Sequence, residues 1–195
     1  YAVRRVSGAH LTPAVSVAQA STGAFPRAAV PGYLAAQVAG AFVGAVLVYL
    51  TYLAHWAETP AADAKLACFA TGPAIRRLGP ALLTEDIGTA ALIFCVLTFG
   101  RVVAGAASGS EAWTAAVGVW FGPLLVGLLV FGIGLSFGGP TGYAVNPARD
   151  LGPRLAHALL PIPGKGDSDW AYAWVPIVAP IVGGVIGAQL FRLLG

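Results

Sequence analysis

The chain has 195 residues, of which 57% are hydrophobic and only 10% charged, with a net charge of +3 and a mean hydropathy of +0.78. A soluble domain carries about a quarter of its residues as Asp, Glu, Lys and Arg, so this composition argues against a soluble enzyme, and the small net charge gives no reason to expect nucleic acid as a partner. Apolar runs reach the ~20 residues that cross a bilayer, which makes the chain a membrane protein with lipid as its surroundings.

Tyr1 to Val6 is a short stub carrying Arg4 and Arg5. In the stretch that follows, Thr12 reads as a helix N-cap and Pro13 as the first helical residue, a position that needs no donor. The helix runs to about Ala20, where Ser21, Thr22, Gly23 and Pro26 end it. About ten residues at ~1.5 Å rise cover ~15 Å, half of a ~30 Å hydrocarbon core, so this helix cannot span. Residues 31–54 form the first full span, with Gln37 as its one strongly polar side chain. Gly40 and Gly44 offer a small-residue face for close helix packing, and Tyr49, Tyr52 and Trp56 an aromatic belt.

Residues 57–79 read as a polar connection and residues 81–100 as the second span, which opens with Thr84, Glu85 and Asp86 near the membrane edge. Residues 101–111 are expected to be a loop. Residues 113–136 form the third span, which Gly138, Gly139 and Pro140 are expected to break. Asn146 and Pro147 then cap and open a second short helix to about residue 159, with Arg149 and Asp150 in its first turn. A polar loop over 161–169 leads to the fourth span, 170–194, with Trp170, Tyr172 and Trp174 as its belt and Arg192 as its terminal anchor. Cys68 and Cys95 have no metal-ligand neighbours and read as unpaired. Arg4, Arg5, Arg27, Arg101 and Arg192 fall on one side, and Lys65, Arg76, Arg77, Arg149, Arg154 and Lys165 on the other or within the protein, so the positive-inside rule does not decide the orientation.

The segment Ser7-Gly8-Ala9-His10-Leu11-Thr12-Pro13-Ala14 aligns with Thr141-Gly142-Tyr143-Ala144-Val145-Asn146-Pro147-Ala148. The hydroxyl, Gly, Pro and Ala positions coincide. Strings of Gly, Pro and Ala also coincide by composition, but here each copy opens a half-length helix and each is followed by a full span. One span follows the first copy and two precede the second, an odd number, so the half-helices enter from opposite sides, as in an inverted repeat. Two spans precede the second copy and only six residues the first. A genuine repeat therefore implies about 55 residues and two further spans before Tyr1, in keeping with a chain that lacks Met altogether. Irregular backbone at membrane depth is tolerated only where it is buried or lines a watery cavity. Two half-helices meeting N-terminus to N-terminus therefore make a pore.

These residues resemble the major intrinsic protein (aquaporin) family, with Asn146-Pro147-Ala148-Arg149 as its second signature and Thr12-Pro13-Ala14 in the place of the first. Within the family the chain is similar to the bacterial glycerol uptake facilitators, most specifically over Gly142 to Arg154. The resemblance covers nearly the whole chain, which reads as one channel domain over 1–195, with 7–56 the remainder of the first repeat and 81–195 the second. It implies an all-α membrane protein with two re-entrant half-helices, a homotetramer with one pore per subunit in the cell membrane, without cofactor. The function implied is passive conduction of glycerol and other small neutral solutes, and water. A water-preferring channel and an ion- or proton-coupled transporter are the alternatives, and a third is that the chain is not functional without the missing spans.

The resemblance also implies roles. Arg149 matches the filter arginine, Tyr143 the filter aromatic of the loop, and Gly134 the position where water-selective channels carry His. Tyr52, Asp150, Arg154, Pro176 and Ile177 fit the glycerol pattern. Glu85 resembles the buried Glu that holds a pore loop by accepting backbone N–H groups, with Asp150 as further loop support. Glycerol presents hydroxyls along one edge and CH groups along the other. Arg149 would supply a fork of donors, Tyr143 an apolar wall, and the carbonyls or side chains of Gly8, Ala9, His10, Leu11, Gly142, Tyr143 and Ala144 the acceptors. His10 reads either as a donor into the lumen or as a structural hydrogen bond. Thr12 departs from the family pattern. It can cap its helix but offers a single hydroxyl where Asn offers an amide.

Overall fold

The computed structural model describes residues 3–105 and 111–194, and among them there are helices and irregular segments but no strand. In chain order the helices are α1 (Arg4–Ser7), α2 (Pro13–Ser21), α3 (Val30–Thr51), α4 (His55–Glu58), α5 (Ala62–Ala67), α6 (Leu78–Gly105), α7 (Glu111–Thr141), α8 (Pro147–Leu159), α9 (Trp170–Ala173) and α10 (Val175–Leu194). A 3-10 turn at Arg27–Ala29 leads into α3. Four stretches, Arg27–Thr51, Leu78–Val102, Phe121–Thr141 and Trp170–Leu194, are long and apolar enough to cross a membrane.

Both short helices start as their caps dictate. The Thr12 hydroxyl accepts from the Ala14 amide at 3.3 Å. The Asn146 side-chain oxygen accepts from Ala148 N at 3.0 Å and Arg149 N at 3.3 Å. With 9 and 13 residues, α2 and α8 measure ~14 and ~20 Å, short of a bilayer core.

Several boundaries differ from the sequence expectation. Gly138, Gly139 and Pro140 do not break the third span, for α7 continues through them to Thr141. Proline removes one helical donor, but the neighbouring groups are satisfied from elsewhere. The Pro140 carbonyl accepts from Ala74 N at 3.1 Å, and Gly142 N closes on the Gly138 carbonyl at 2.9 Å. The second span is longer than 81–100, for α6 runs to Gly105 and α7 starts at Glu111, so residues 101–105 and 111 are helical where a loop is expected; the rest of that expected loop, 106–110, lies outside the described residues. The polar connection contains α4's end and α5, and the fourth span is split at Trp174 into α9 and α10.

The helices interlock. α2, from the first copy of the repeat, packs on α10, the span after the second copy, while α8 packs on α3, the span after the first. Both contacts use glycine. A Cβ at Gly184 would lie 3.2 Å from the Ala14 carbonyl oxygen, and one at Gly152 only 2.7 Å from that of Val38. The closest approach is between α6 and α10, where a Cβ at Gly183 or Gly187 would come within 2.2 Å of Asp86 O or 2.3 Å of Ala90 O. In lipid there is no hydrophobic drive between helices, so this backbone proximity is what joins them. Gly187→Ala is therefore expected to destabilise the protein by about 1–3 kcal/mol or more. Gly127→Ala, whose Cβ would meet nothing within 4 Å, should be silent. Thermal unfolding in detergent compares the two. The outward faces are apolar: Val43, Leu47 and Leu50 on α3, Leu128, Phe131 and Leu135 on α7, and Val182, Ile186 and Leu190 on α10 are exposed.

Candidate functional site

The two half-helix starts meet. The Asn146 amide at the head of α8 donates to the Leu11 carbonyl, just before α2, at 3.0 Å. The loops leading to this junction share an unusual backbone. Gly8 and Ala9 have φ of 69° and 56°, and Gly142 and Tyr143 have 77° and 59°. The aligned sequences thus adopt matching left-handed turns. Val145 adds a φ of 39°, an outlier for a β-branched residue.

Glu85, 1% exposed on α6, holds the second loop in this shape. Its carboxylate accepts from Ala144 N at 3.0 Å, Val145 N at 2.6 Å and the Thr141 hydroxyl at 2.6 Å. With those amides turned toward Glu85, the carbonyls of Gly142, Tyr143 and Ala144 accept no hydrogen bond among the described residues. The first loop is tied by α3 instead. The Tyr33 hydroxyl donates to the Ser7 carbonyl at 3.2 Å. The Gln37 amide donates to the His10 carbonyl and, at 3.1 Å, to the Ser16 hydroxyl. His10 Nδ1 lies 3.3 Å from that same hydroxyl, so the ring is anchored through one nitrogen and packs on Phe25 and Tyr33.

Beside the junction runs a groove of about 810 Å³, lined on one side by α3 from Tyr33 to Val48 and on the other by His10, Leu11, Phe69, Asn146, Ala148 and Arg149. Arg149 is half-buried. Its Nη1 donates to the Phe69 carbonyl at 3.3 Å, and no other described acceptor takes its guanidinium, so most of the donor fork remains available on the groove side. The wall here is apolar except for these few groups.

Behind the wall lies a buried ion pair. Asp150 and Arg154 are both 0% exposed and 2.7 Å apart. Asp150 also accepts from the Thr71 amide at 2.8 Å and its hydroxyl at 2.7 Å. Arg154 donates to the carbonyls of Thr71, Ser168 and Asp169 at 2.7–2.9 Å. Every side of the pair is hydrogen-bonded, and the connection from Phe69 to Thr71 is stapled to α8. Outside the spans, Arg76 grips Asp169 through two hydrogen bonds of 2.9 and 2.5 Å, which holds the Asp169 carboxyl below its usual range.

Of the residues singled out from the sequence, the structure brings His10, Leu11, Asn146, Ala148 and Arg149 to one groove. Thr12, Pro13, Ala14 and Pro147 form the buried helix starts. Tyr143 and Gly134 come together but not on that lining. A Cβ at Gly134 would lie 3.4 Å from the Tyr143 ring, and the Tyr143 hydroxyl donates to the Val130 carbonyl at 3.0 Å. The expected acceptors of the first loop are largely engaged, since the Ala9, His10 and Leu11 carbonyls take bonds from Leu11 N, Gln37 and Asn146. Phe69, Thr71 and Ser16 went unnoticed in the sequence reading. Gln37 did carry a signal, as the lone strongly polar side chain of its span.

Major intrinsic protein is the family description that matches the chain, over residues 1–191. The chain belongs to the major intrinsic protein family. The chain is 59% identical over its whole length to a probable glycerol uptake facilitator protein of Thermotoga maritima, spanning 77% of that relative. It is 51% identical over 98% of its length to a glycerol uptake facilitator protein of Bacillus subtilis, of which it spans 65%. Among solved structures it resembles the aquaglyceroporin from Plasmodium falciparum, with a TM-score of 0.73 at 31% identity, over 96% of this chain and 73% of that one. Placed in this family, the four apolar stretches are those of a multi-pass membrane protein, and the paired half-helices are its re-entrant segments.

Proposed function

We propose that the protein is a passive channel of the cell membrane that conducts glycerol, other small neutral solutes and water. The observation that carries this is the head-to-head meeting of α2 and α8 at the Asn146–Leu11 hydrogen bond, beside an apolar groove that presents the Arg149 fork. In the groove a polyol finds donors at Arg149 and an apolar wall for its carbon edge, and farther along its path, outside the groove lining, acceptors at the free carbonyls of the second loop. Relatives named glycerol uptake facilitators support the same reading. Tyr143, packed on Gly134 outside the groove lining, serves as the apolar filter wall farther along the path, near the start of the second loop. A passive conduit has no reaction to catalyse, so enzyme chemistry is not part of the reading.

Cations and protons are disfavoured by the same geometry. Two helix N-termini of roughly +0.5 e each, together with Arg149, raise the potential at the junction. A coupled transporter would bring ionisable groups together within the membrane. Here Glu85 is committed to the second loop, while the backbone of Asp86 lies against Gly183 on α10. We further propose that the protein assembles as a homotetramer, checked by light scattering of the detergent-purified protein.

The experiment is osmotic-shock light scattering on vesicles containing the reconstituted protein. Glycerol permeability well above that of empty vesicles is the expected result, and permeability to water alone would replace glycerol with water as the natural permeant. Thr12→Asn tests the asymmetry of the junction. It adds an amide donor where only a capping hydroxyl now stands, and is expected to shift the glycerol-to-water permeability ratio by up to about fivefold, the worth of one neutral hydrogen bond, while conduction persists. Identical glycerol, water and proton fluxes in both proteins would show that the junction does not discriminate through that residue.

A further inference from the structure

His157 stands in the last turn of α8, fully buried, at 0% exposure. Its Nδ1 lies 2.8 Å from the Ser168 hydroxyl. Its Nε2 is buried and has no partner among the described residues. The ring packs against the Phe69 side chain, centroids 5.5 Å apart. Phe69 in turn is clasped from the other side by Trp56 at 5.6 Å, which is itself fixed by an indole hydrogen bond to the Tyr49 carbonyl. The carbonyl of this same Phe69 is what Arg149 donates to. A buried imidazole with one idle nitrogen thus sits one residue away, in contact terms, from the group that anchors the groove's arginine.

We propose that His157 is a positioning residue for Arg149: the neutral ring seats Phe69, whose carbonyl holds the guanidinium against the groove wall, and protonating the ring loosens that seat and lowers solute flux. This rests on the groove being the solute path. His157 Nδ1 and the Ser168 hydroxyl share one hydrogen bond, and in the neutral Nδ1–H tautomer Nε2 carries no proton and leaves no donor unpaired. The imidazolium carries a second N–H at Nε2, for which no acceptor stands within hydrogen-bond distance among the described residues, and a buried unpaired donor is costly.

The charges around the ring oppose its protonation too. Lys165 binds the His157, Ala158 and Leu160 carbonyls, each at 2.7 Å. Arg154 lies one turn back on α8 and reaches the Ser168 carbonyl. Asp167 and the Lys165 backbone favour the charge more weakly, while Asp150 and Asp169 are engaged by Arg154 and Arg76. Burial first, then Lys165 and Arg154, hold the His157 pKa below that of a free histidine. The ring is therefore neutral near pH 7, and its protonation works against the native arrangement as pH falls below about 6.5, the ordinary histidine value. An arginine freed from a wall carbonyl reaches into the groove it lines, so flux falls rather than rises.

The test is glycerol permeability of vesicles bearing the reconstituted protein, for the parent, His157→Phe and His157→Gln. Phenylalanine keeps the packing on Phe69 without a titrating nitrogen, and glutamine can keep a bond to Ser168. The parent and His157→Phe are expected to agree near pH 7.5, His157→Gln, which lacks the ring that seats Phe69, to be lower at every pH, and the parent alone to lose about threefold or more of its permeability by about pH 5, a range in which histidine is the side chain that titrates. Parallel pH profiles in all three, or a His157→Phe variant reduced equally at every pH, would overturn the proposal. So would a pH response that persists in both variants, which would belong to His10 on the groove lining. A second measurement does not depend on transport. Thermal unfolding in detergent should show the parent losing stability relative to His157→Phe as the pH falls below about 6.5. No divergence overturns the inference while leaving the channel reading intact. Parent vesicles no leakier to glycerol than empty ones at pH 7.5 would overturn the channel reading first, and the inference with it.

Discussion

Replacing Glu85 by leucine is expected to abolish folded, glycerol-conducting protein. The carboxylate is the common acceptor for Ala144 N, Val145 N and the Thr141 hydroxyl. Each hydrogen bond to a charged group is worth about 1.5–3 kcal/mol, and removing the acceptor leaves its donors buried and unsatisfied. The loop it holds is strained as well. Tyr143 and Val145 sit at positive φ, at a cost of about 1–3 kcal/mol each, which persists only while the surroundings over-determine it. Without Glu85 the loop has no reason to keep its carbonyls turned outward. The loss, on the order of 4 kcal/mol or more, is comparable with the whole stability of a marginal fold. Glu85→Gln keeps one acceptor oxygen and should retain part of both stability and flux. Size-exclusion of the detergent extract and glycerol permeability check the order parent, Gln, Leu. A leucine variant as stable and as permeable as the parent would show that the loop is held by other contacts.

The second large effect is expected from the buried pair. Arg154→Leu leaves the Asp150 carboxylate enclosed with only Thr71 as a donor and strips the Thr71, Ser168 and Asp169 carbonyls of their partner. Breaking a buried pair from one side costs about 3–5 kcal/mol, because an uncompensated charge remains. Combining Arg154→Leu with Asp150→Asn removes that charge and should recover part of the loss, with a coupling of about 0.5–3 kcal/mol typical of residues in one network. Thermal or chemical unfolding of the four proteins in detergent measures it. The functional reading goes further than stability. Phe69 and Thr71 belong to the connection that the pair staples to α8, so the single variants should also lower glycerol permeability by displacing the carbonyl that holds Arg149. Additive losses across the cycle would mean that the two residues act independently.

The half-helix starts were legible because capping is a local rule. Asn146 before Pro147 and Thr12 before Pro13 each announce a helix from two adjacent residues, and both side chains accept the amides expected of them. The spans were legible from the length of apolar runs, although their ends were not. At Gly138, Gly139 and Pro140 the local rule pointed to a break that does not occur. The carbonyl next to the missing donor is served by Ala74, which lies more than sixty residues earlier in the chain. Such a partner leaves no trace in the pattern around Pro140.

The site divides in the same way. Arg149 stood out because charge inside a membrane is expensive, Glu85 because it resembles the family's buried loop-holding glutamate, and both lie where a reason for a buried charge exists. Gln37 stood out as the one strongly polar side chain of its span, but what it binds did not. Phe69, Thr71 and His157 carry no such signal. An apolar residue, a threonine and a helix-end histidine are ordinary in any sequence, and their importance comes from the groups set beside them by packing. The sequence by itself determined where the two half-helices begin, which segments cross the membrane, and that two matching starts face each other in an inverted repeat, because these follow from contacts within a few residues and from the hydrocarbon thickness. Only the tertiary structure decided that Phe69 anchors Arg149, that Thr71 joins the Asp150–Arg154 pair, that Gln37 occupies the His10 carbonyl, and that Tyr143 rests on Gly134 rather than on the groove lining. Several of these partners lie about 80 residues apart. In lipid every buried polar group must find its partner within the protein, and which partner it finds is settled only when the helices pack.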